Sequence, residues 1–280
     1  MIAVLMLAAA LPSTATNIIL HRQQEALAIQ GDTRTLTTNA DCGQVVEGLV
    51  ELNSDLDCRG DGLIVGADGT TIRLNDHTIR GTGPDSSKVG ISVGNENGVT
   101  IEGPGTIEQF QAGILASDAK GTSITSVTLT GNQIAVFSKA TDGLQATQNM
   151  ITGNSIGLAS HSSNGLQLTE NLMSDNQLAG ITFVATDVSL ISRNNIQDSE
   201  NGIFTDAESS GNRIESNNIL RNTVDLNNAN GLDIDINQNR YSYNNCEISN
   251  PSALCTTASN ALQPEKSRTI YSGARTGEEG

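Results

Sequence analysis

The apolar positions of this chain recur at a fixed step. One series runs Ile101, Ile124, Ala146, Leu168, Ile191, Ile214 and Ile236, at intervals of 23, 22, 22, 23, 23 and 22 residues. Five residues further along, a second runs Leu129, Ile151, Met173, Ile196, Ile219 and Tyr241. A third, usually preceded by Gly, runs Ile91, Ile114, Val136, Leu158, Ile181 and Ile203. Two asparagine columns keep the same step. Asn149, Asn171, Asn194, Asn217 and Asn239 form one; Asn132, Asn154, Asn176, Asn222 and Asn244 form the other, with Ser199 in its gap. Each apolar position sits between polar neighbours, the alternation of a short strand. The intervening Asn, Gly, Ser and Thr are poor helix formers and good turn formers.

A step near 22 residues admits two solenoids, the leucine-rich repeat and the parallel β-helix. The first needs a helix, or a single-turn equivalent, in every repeat and Leu at most structural positions. This repeat instead holds three short apolar-centred strands, which predicts an all-β, right-handed, triangular parallel β-helix with three strands per coil. Eight or nine coils about 4.8 Å apart would make a rod roughly 40 Å long. The asparagines then fall at corners, where left-handed backbone is tolerated and stacked amides can bond from coil to coil. Repetition marks them as structural, not catalytic.

A solenoid needs caps at both ends. Residues 42–66 read as the N-terminal cap, residues 67–249 as the β-helix, and residues 250–280 as the end of a closing loop that starts at Cys246, followed by a tail. The stretch 16–41 is unpatterned and reads as a linker. Gly81–Lys88 is the one clear insertion between coils. Cys42, Cys58, Cys246 and Cys255 bracket the two ends, with no C-x-x-C pair and no His beside any Cys. They read as disulfides, paired most simply within each neighbouring couple.

Composition narrows the picture further. Aromatic residues make up 2% of the chain and Trp is absent, in keeping with a narrow core of aliphatic rows. The net charge of −16 speaks against nucleic acid, against direct binding of the mature chain to anionic membranes, and against polyanionic glycans. Residues 1–15 begin with the apolar run MIAVLMLAAAL and end at Ala15 in the small-residue pattern of a secretory cleavage site. That predicts a secreted, periplasmic or cell-surface protein, although no Lys or Arg precedes the run. At eleven residues the run is too short to span a bilayer as a helix.

Cys42-Gly-Gln-Val-Val-Glu-Gly-Leu-Val-Glu-Leu, Asp55-Leu-Asp-Cys58, Gly62-Leu-Ile-Val-Gly-Ala-Asp-Gly69 and Leu74-Asn-Asp-His77-Thr-Ile79 resemble the opening of exported right-handed parallel β-helix proteins. The later copies, Asn194-Asn-Ile and Asn217-Asn-Ile with Gly-Ile following, are similar to the NosD-type, pectin-lyase-like repeat. The resemblance covers roughly residues 42–245. It implies the fold, and it admits polysaccharide lyases and hydrolases, a periplasmic protein linked to copper-site assembly, and surface proteins of other roles.

The catalytic signatures of those enzymes, a Gly-His-Gly with Arg-Ile-Lys or an Asp-Pro-His-Asp, do not occur here. Aligning Ile214 with Ile236 sets Arg213 beside Asp235 on adjacent coils, with Glu215 and Asp233 one step away and all four pointing outward. Paired carboxylates with an Arg suit acid–base work on a glycan; a cross-strand ion pair on a solvated face is the plainer reading. A second outward row, Ser92, Leu115, Phe137, Ala159, Thr182 and Phe204, makes Leu115, Phe137 and Phe204 an exposed apolar stripe. Such a stripe suits a partner, a glycan, or residues 16–41 docking back on it. His77 falls in an asparagine column, His161 in a Ser-rich turn and Met173 on an inward row, so copper donors do not converge. Calcium is admitted at Asp225, Asp233 and Asp235, without the ligand spacing of a dedicated loop. The leading expectation is a non-catalytic surface or envelope protein binding a polysaccharide or a cell-surface protein along its side; the alternative is a polysaccharide lyase or glycoside hydrolase. No feature speaks to oligomeric state.

Overall fold

The computed structural model describes residues 36–232 and 236–255. The proposed signal and most of the linker therefore lie outside the described residues, as do Asp233, Asp235 and residues 256–280. Three parallel sheets run the length of a solenoid, two of ten strands and one of eight. Among the described residues there is no helix. Within each coil the chain visits the first sheet (as in Ser123–Thr125), the second (Thr128–Thr130) and then the third (Ile134–Lys139). Each strand pairs in register with its counterpart one coil away.

The three apolar series are the inward centres of the three sheets. Ile101, Ile124, Ala146, Leu168, Ile191 and Ile214 stack in the first, and Leu129, Ile151, Met173, Ile196 and Ile219 in the second. Ile91 through Ile203 stack in the third. All are essentially inaccessible to solvent. The expectation that the core has no room for large rings needs amending, because Phe110 and Phe183 are fully buried. Glycine makes the space for Phe110: a Cβ on Gly81 would come within 2.7 Å of its ring.

The corners carry the energetic argument. The residue at the turn of each corner takes left-handed backbone: Gln148, Glu170, Arg193 and Ser216, each before an asparagine, at one corner; at the other, Asp175 and Arg221 before asparagines, Gln109 before Phe110 and Asp198 before Ser199. Each such non-Gly residue costs roughly 1–2 kcal/mol. The asparagine that follows offsets it. Asn171 Oδ1 accepts both the backbone N–H and the Nδ2 of Asn149 at 3.0 Å, while Asn171 Nδ2 donates to Ala146 O and to Asn194 Oδ1. Asn194 and Asn217 continue this buried ladder. The second ladder runs Asn132, Asn154 and Asn176; it breaks at Ser199, whose Oγ turns to Gln197 O while its backbone N–H donates to Asn222 Oδ1.

The last coil corrects the alignment read from the sequence. Ile214 pairs with Tyr241, not Ile236, and Arg213 pairs with Arg240. Ile236 is 67% exposed. The next rung after Asn217 is Asn244, 27 residues on, and Asn239 instead accepts from Asn212. The extra residues form a loop held by Asn237, whose Oδ1 accepts from Asn228 Nδ2 and Asn239 N–H. A constant step therefore places residues such as Tyr241 and Asn244 one column too far along.

Both ends are tied as the cysteine spacing suggested, by Cys42–Cys58 and Cys246–Cys255. The first strand, Leu36–Thr37, begins inside the stretch read as linker and pairs with Leu49–Val50. At the other end the buried carboxylate of Asp225 takes the place of a ladder amide. Its Oδ1 accepts from Asn222 N–H and Nδ2, and its Oδ2 from Glu247 and Ile248 N–H. Those bonds fasten the closing loop and occupy both oxygens, so Asp225 is a structural anchor and not the calcium ligand admitted above.

Three expectations follow. Asn194→Ala leaves Asn171 N–H without its acceptor and removes the side-chain bonds to Leu168 O and Asn217 Oδ1 in the core, and should lower unfolding stability by about 3 kcal/mol in urea. Ile236→Lys should change stability by less than about 0.5 kcal/mol, while Tyr241→Ala should be severely destabilising; the reverse order would restore the constant step. Burial holds the Tyr241 phenol, hydrogen-bonded to Thr205 Oγ1, up at about 12 against an ordinary 10.0. Because the folded value lies above the unfolded one, the contribution is whole below pH 10 and is lost as pH rises toward 12. Absorbance titration should show the Tyr241 phenol ionising only toward pH 12.

Candidate functional site

Two surface features stand apart from the repeating ladders of charge. The first is a cleft of about 710 Å³ along the corner between the second and third sheets. Its floor lies where Gly131 and Gly153 occupy left-handed positions that other coils fill with Gln109, Asp175, Asp198 and Arg221. A Cβ on Gly131 would come within 2.5 Å of Gln109 Nε2, so the two glycines keep the floor low. One end is walled by Pro84 and Asp85 of the 81–88 insertion, which is fixed to the next coil by Gly83 N–H bonding to Gln109 O at 2.9 Å. Asp175 and Asp198 form the other end, and Gln133, Ser155 and Gln177 line the side.

The cleft is therefore a trough of amides and carboxylates spanning several coils. Asp198 accepts a two-pronged pair from Arg221, Nε to Oδ1 at 3.0 Å and Nη2 to Oδ2 at 2.6 Å, and this holds its carboxyl below the usual range. Asp85 and Asp175 have no ion-pair partner among the described residues. The sequence reading missed this cleft. Its signal lay in the left-handed corner position of successive coils, where Gln109, Gly131, Gly153, Asp175, Asp198 and Arg221 follow one another.

The second feature is the predicted stripe. Leu115 pairs directly with Phe137, and the row continues through Ala159 and Thr182 to Phe204. All three large side chains are half-buried rather than fully exposed. Leu115 and Phe137 line an apolar pocket of about 320 Å³; Phe204 lies three coils beyond it.

Of the four-residue constellation, only Arg213 and Glu215 lie among the described residues. They belong to one strand, and Arg213 Nη2 donates to both oxygens of Glu215 at 2.8 and 2.9 Å. Because the register sets Arg240 opposite Arg213, the expected apposition of Arg213 and Asp235 through Ile236 does not occur in that form.

With this architecture the molecule is a right-handed parallel β-helix protein of the pectin-lyase-like kind. More particularly, the chain belongs to the periplasmic copper-binding protein (NosD) family, whose sequence profile matches residues 50–261. Solved structures share the fold at low identity. The periplasmic alginate epimerase AlgG superposes with a TM-score of 0.52 at 13% identity, over 72% of this chain and 65% of that one. The mannuronan C-5 epimerase AlgE6 A-module of Azotobacter vinelandii gives 0.51 at 12%, over 73% of each chain. The polygalacturonase of Erwinia carotovora ssp. carotovora gives 0.51 at 13%, over 71% of this chain and 82% of that one. The chain thus spans less than two thirds of the length of the first, and at these identities the likeness is one of fold. Among curated protein sequences none matches this chain.

The family's description raises the question of copper, and the donor set among the described residues does not fit it. All four cysteines are consumed in disulfides. Met173 is sealed in the core and Met150 points out of the second sheet. His77 sits at a corner, 3.3 Å from Asp55, and His161 lies on the third sheet's outer face. Among these residues no three His, Cys, Asp or Glu side chains gather as a metal site. Removing His77 and His161 together by substitution to Ala should leave copper retention on equilibrium dialysis unchanged; a stoichiometric loss would mean the imidazoles meet a shared metal.

Proposed function

We propose that this protein is a non-catalytic periplasmic β-helix that holds a neutral glycan chain along the corner cleft. The observation supporting this reading is the cleft itself: a low floor kept by Gly131 and Gly153, a wall supplied by the 81–88 insertion, and a lining of side-chain amides and carboxylates. Such groups accept and donate to sugar hydroxyls, and side chains on successive coils repeat about every 4.8 Å, on the scale of one pyranose unit. A polyuronate of the kind named in the structural neighbours is disfavoured, because the cleft carries Asp85 and Asp175 in a chain of net charge −16. Binding is favoured over turnover because glycoside hydrolysis needs a carboxyl held protonated near neutrality, whereas Arg221 pushes Asp198 the other way.

The second reading is a carbohydrate-active enzyme using Arg213, Glu215, Asp233 and Asp235. The Arg213–Glu215 pair fits a solvated ion pair equally well.

Affinity electrophoresis of the chain from Thr16 through neutral polysaccharides, alginate and pectate separates these readings. Retardation by a neutral glycan without release of reducing ends or unsaturated sugars is expected. Gly153→Asn, which keeps a residue tolerant of left-handed backbone, should weaken retardation about tenfold, the effect of obstructing contacts worth roughly 1.4 kcal/mol. Products formed from any polymer and lost in Glu215→Gln would establish the enzyme reading; retention by alginate or pectate would overturn the neutral-glycan assignment.

A further inference from the structure

Apolar side chains gather on the outer face of the third sheet. Leu115 and Phe137 stand beside each other, and a parallel outward row of Val89, Ala112, Ile134 and Ile156 runs alongside them. Between the two rows lies the pocket of about 320 Å³, closed at one margin by Lys139 and bordered by Gln111, Gln133 and Ser117. Two of the chain's four lysines, Lys88 and Lys139, border this face. Lys88 immediately precedes Val89, while Lys139 ends the strand that carries Ile134 and Phe137. Elsewhere most arginines among the described residues are bound in ion pairs, but neither of these lysines is paired among those residues. Two acids lie beside this face: Asp118 has its Oδ2 engaged by Ser117 Oγ and its backbone N–H meets Lys139 O, and Asp61 Oδ1 accepts from Val89 N–H at 3.0 Å.

The size of the patch limits what can occupy it. Three to four coils and two side-chain rows cover roughly 15 Å by 10 Å, well short of the about 800 Å² that a stable protein partner buries on each side. The pocket lies at the lower end of the range for small-ligand sites, which combine apolar walls with one or two placed polar groups. Its charge sign is opposite to that of the chain.

We propose that this face is a binding site for a small amphipathic anion, an aliphatic or aromatic body laid between Leu115, Phe137 and Ile134 with its carboxylate on Lys139. The assignment is independent of the glycan reading, which concerns a different face. Both ends of such a ligand are used: the rings and branched chains remove its apolar body from water, and the ammonium group neutralises its head. Because Phe137 and Lys139 both point outward from one strand, either can be changed without opening the core.

Titration calorimetry with decanoate on the full chain tests the proposal, with decanol as the uncharged control. Saturable decanoate binding is expected, with decanol about tenfold weaker, the size of one charge-assisted hydrogen bond. Lys139→Gln should weaken decanoate about tenfold and leave decanol unchanged, whereas Phe137→Ser should weaken both with the urea midpoint intact. Absence of saturable decanoate binding, or equal binding of decanoate by wild type and Lys139→Gln, would overturn the proposal. So would self-association in sedimentation that Phe137→Ser abolishes and decanoate does not, since a second copy would then be the occupant.

Discussion

In-register stacking of coils at one strand spacing is the constraint on which the rest of this molecule depends. A strand of three residues buries too little to persist alone; each is held by a counterpart on either side, so any residue repeated once per coil stands on its own copy. That turns single asparagines into buried ladders, where each amide satisfies a backbone N–H, a backbone carbonyl and the next amide at once. The left-handed corners are tolerated because these bonds are gained there. The same constraint explains Asp225. Where the ladder has no further coil, an acceptor with two oxygens ends it and takes the backbone of the closing loop in place of another amide.

Stacking also organises the surface. Arg73 bridges Glu51 and Glu102, Arg80 bridges Asp57 and Glu108, and Arg193 reaches Glu170. These rows neutralise charge from coil to coil and are solvated, so they contribute little individually. Against that background the corner cleft and the cationic-edged apolar face are the places where the pattern is broken. Glycine replaces larger residues at the cleft floor, and lysines border an apolar row without carboxylate partners. Membership in a family described as copper-binding sits beside a described donor set in which sulfur is oxidised or sealed and the imidazoles lie apart.

Much of this was legible in the chain itself. The period, the three strands per coil, the inward aliphatic rows, the structural asparagines and the pairing of cysteines all follow from residues acting on near neighbours or on their own repeats. The apposition of Leu115 with Phe137 was legible for the same reason, since a constant step makes register countable. The count failed at the last coil, where the extra residues before Asn239 moved Tyr241 and Asn244 into other columns. Ile236 carries the right residue type at the right interval, and only pairing partners in space distinguish it from Tyr241.

The sequence by itself determined the solenoid, because the hydrogen bonds and apolar contacts that define a coil are reproduced wherever the pattern repeats. The tertiary structure alone decided the cleft. Its floor, wall and ends come from residues in different coils whose significance lies in being unlike their counterparts, and volume is not written in any one repeat. It also decided that Arg213 faces Arg240 and that Asp225 is filled by backbone donors, since both depend on how many residues the last loop absorbs before the chain returns to its stack.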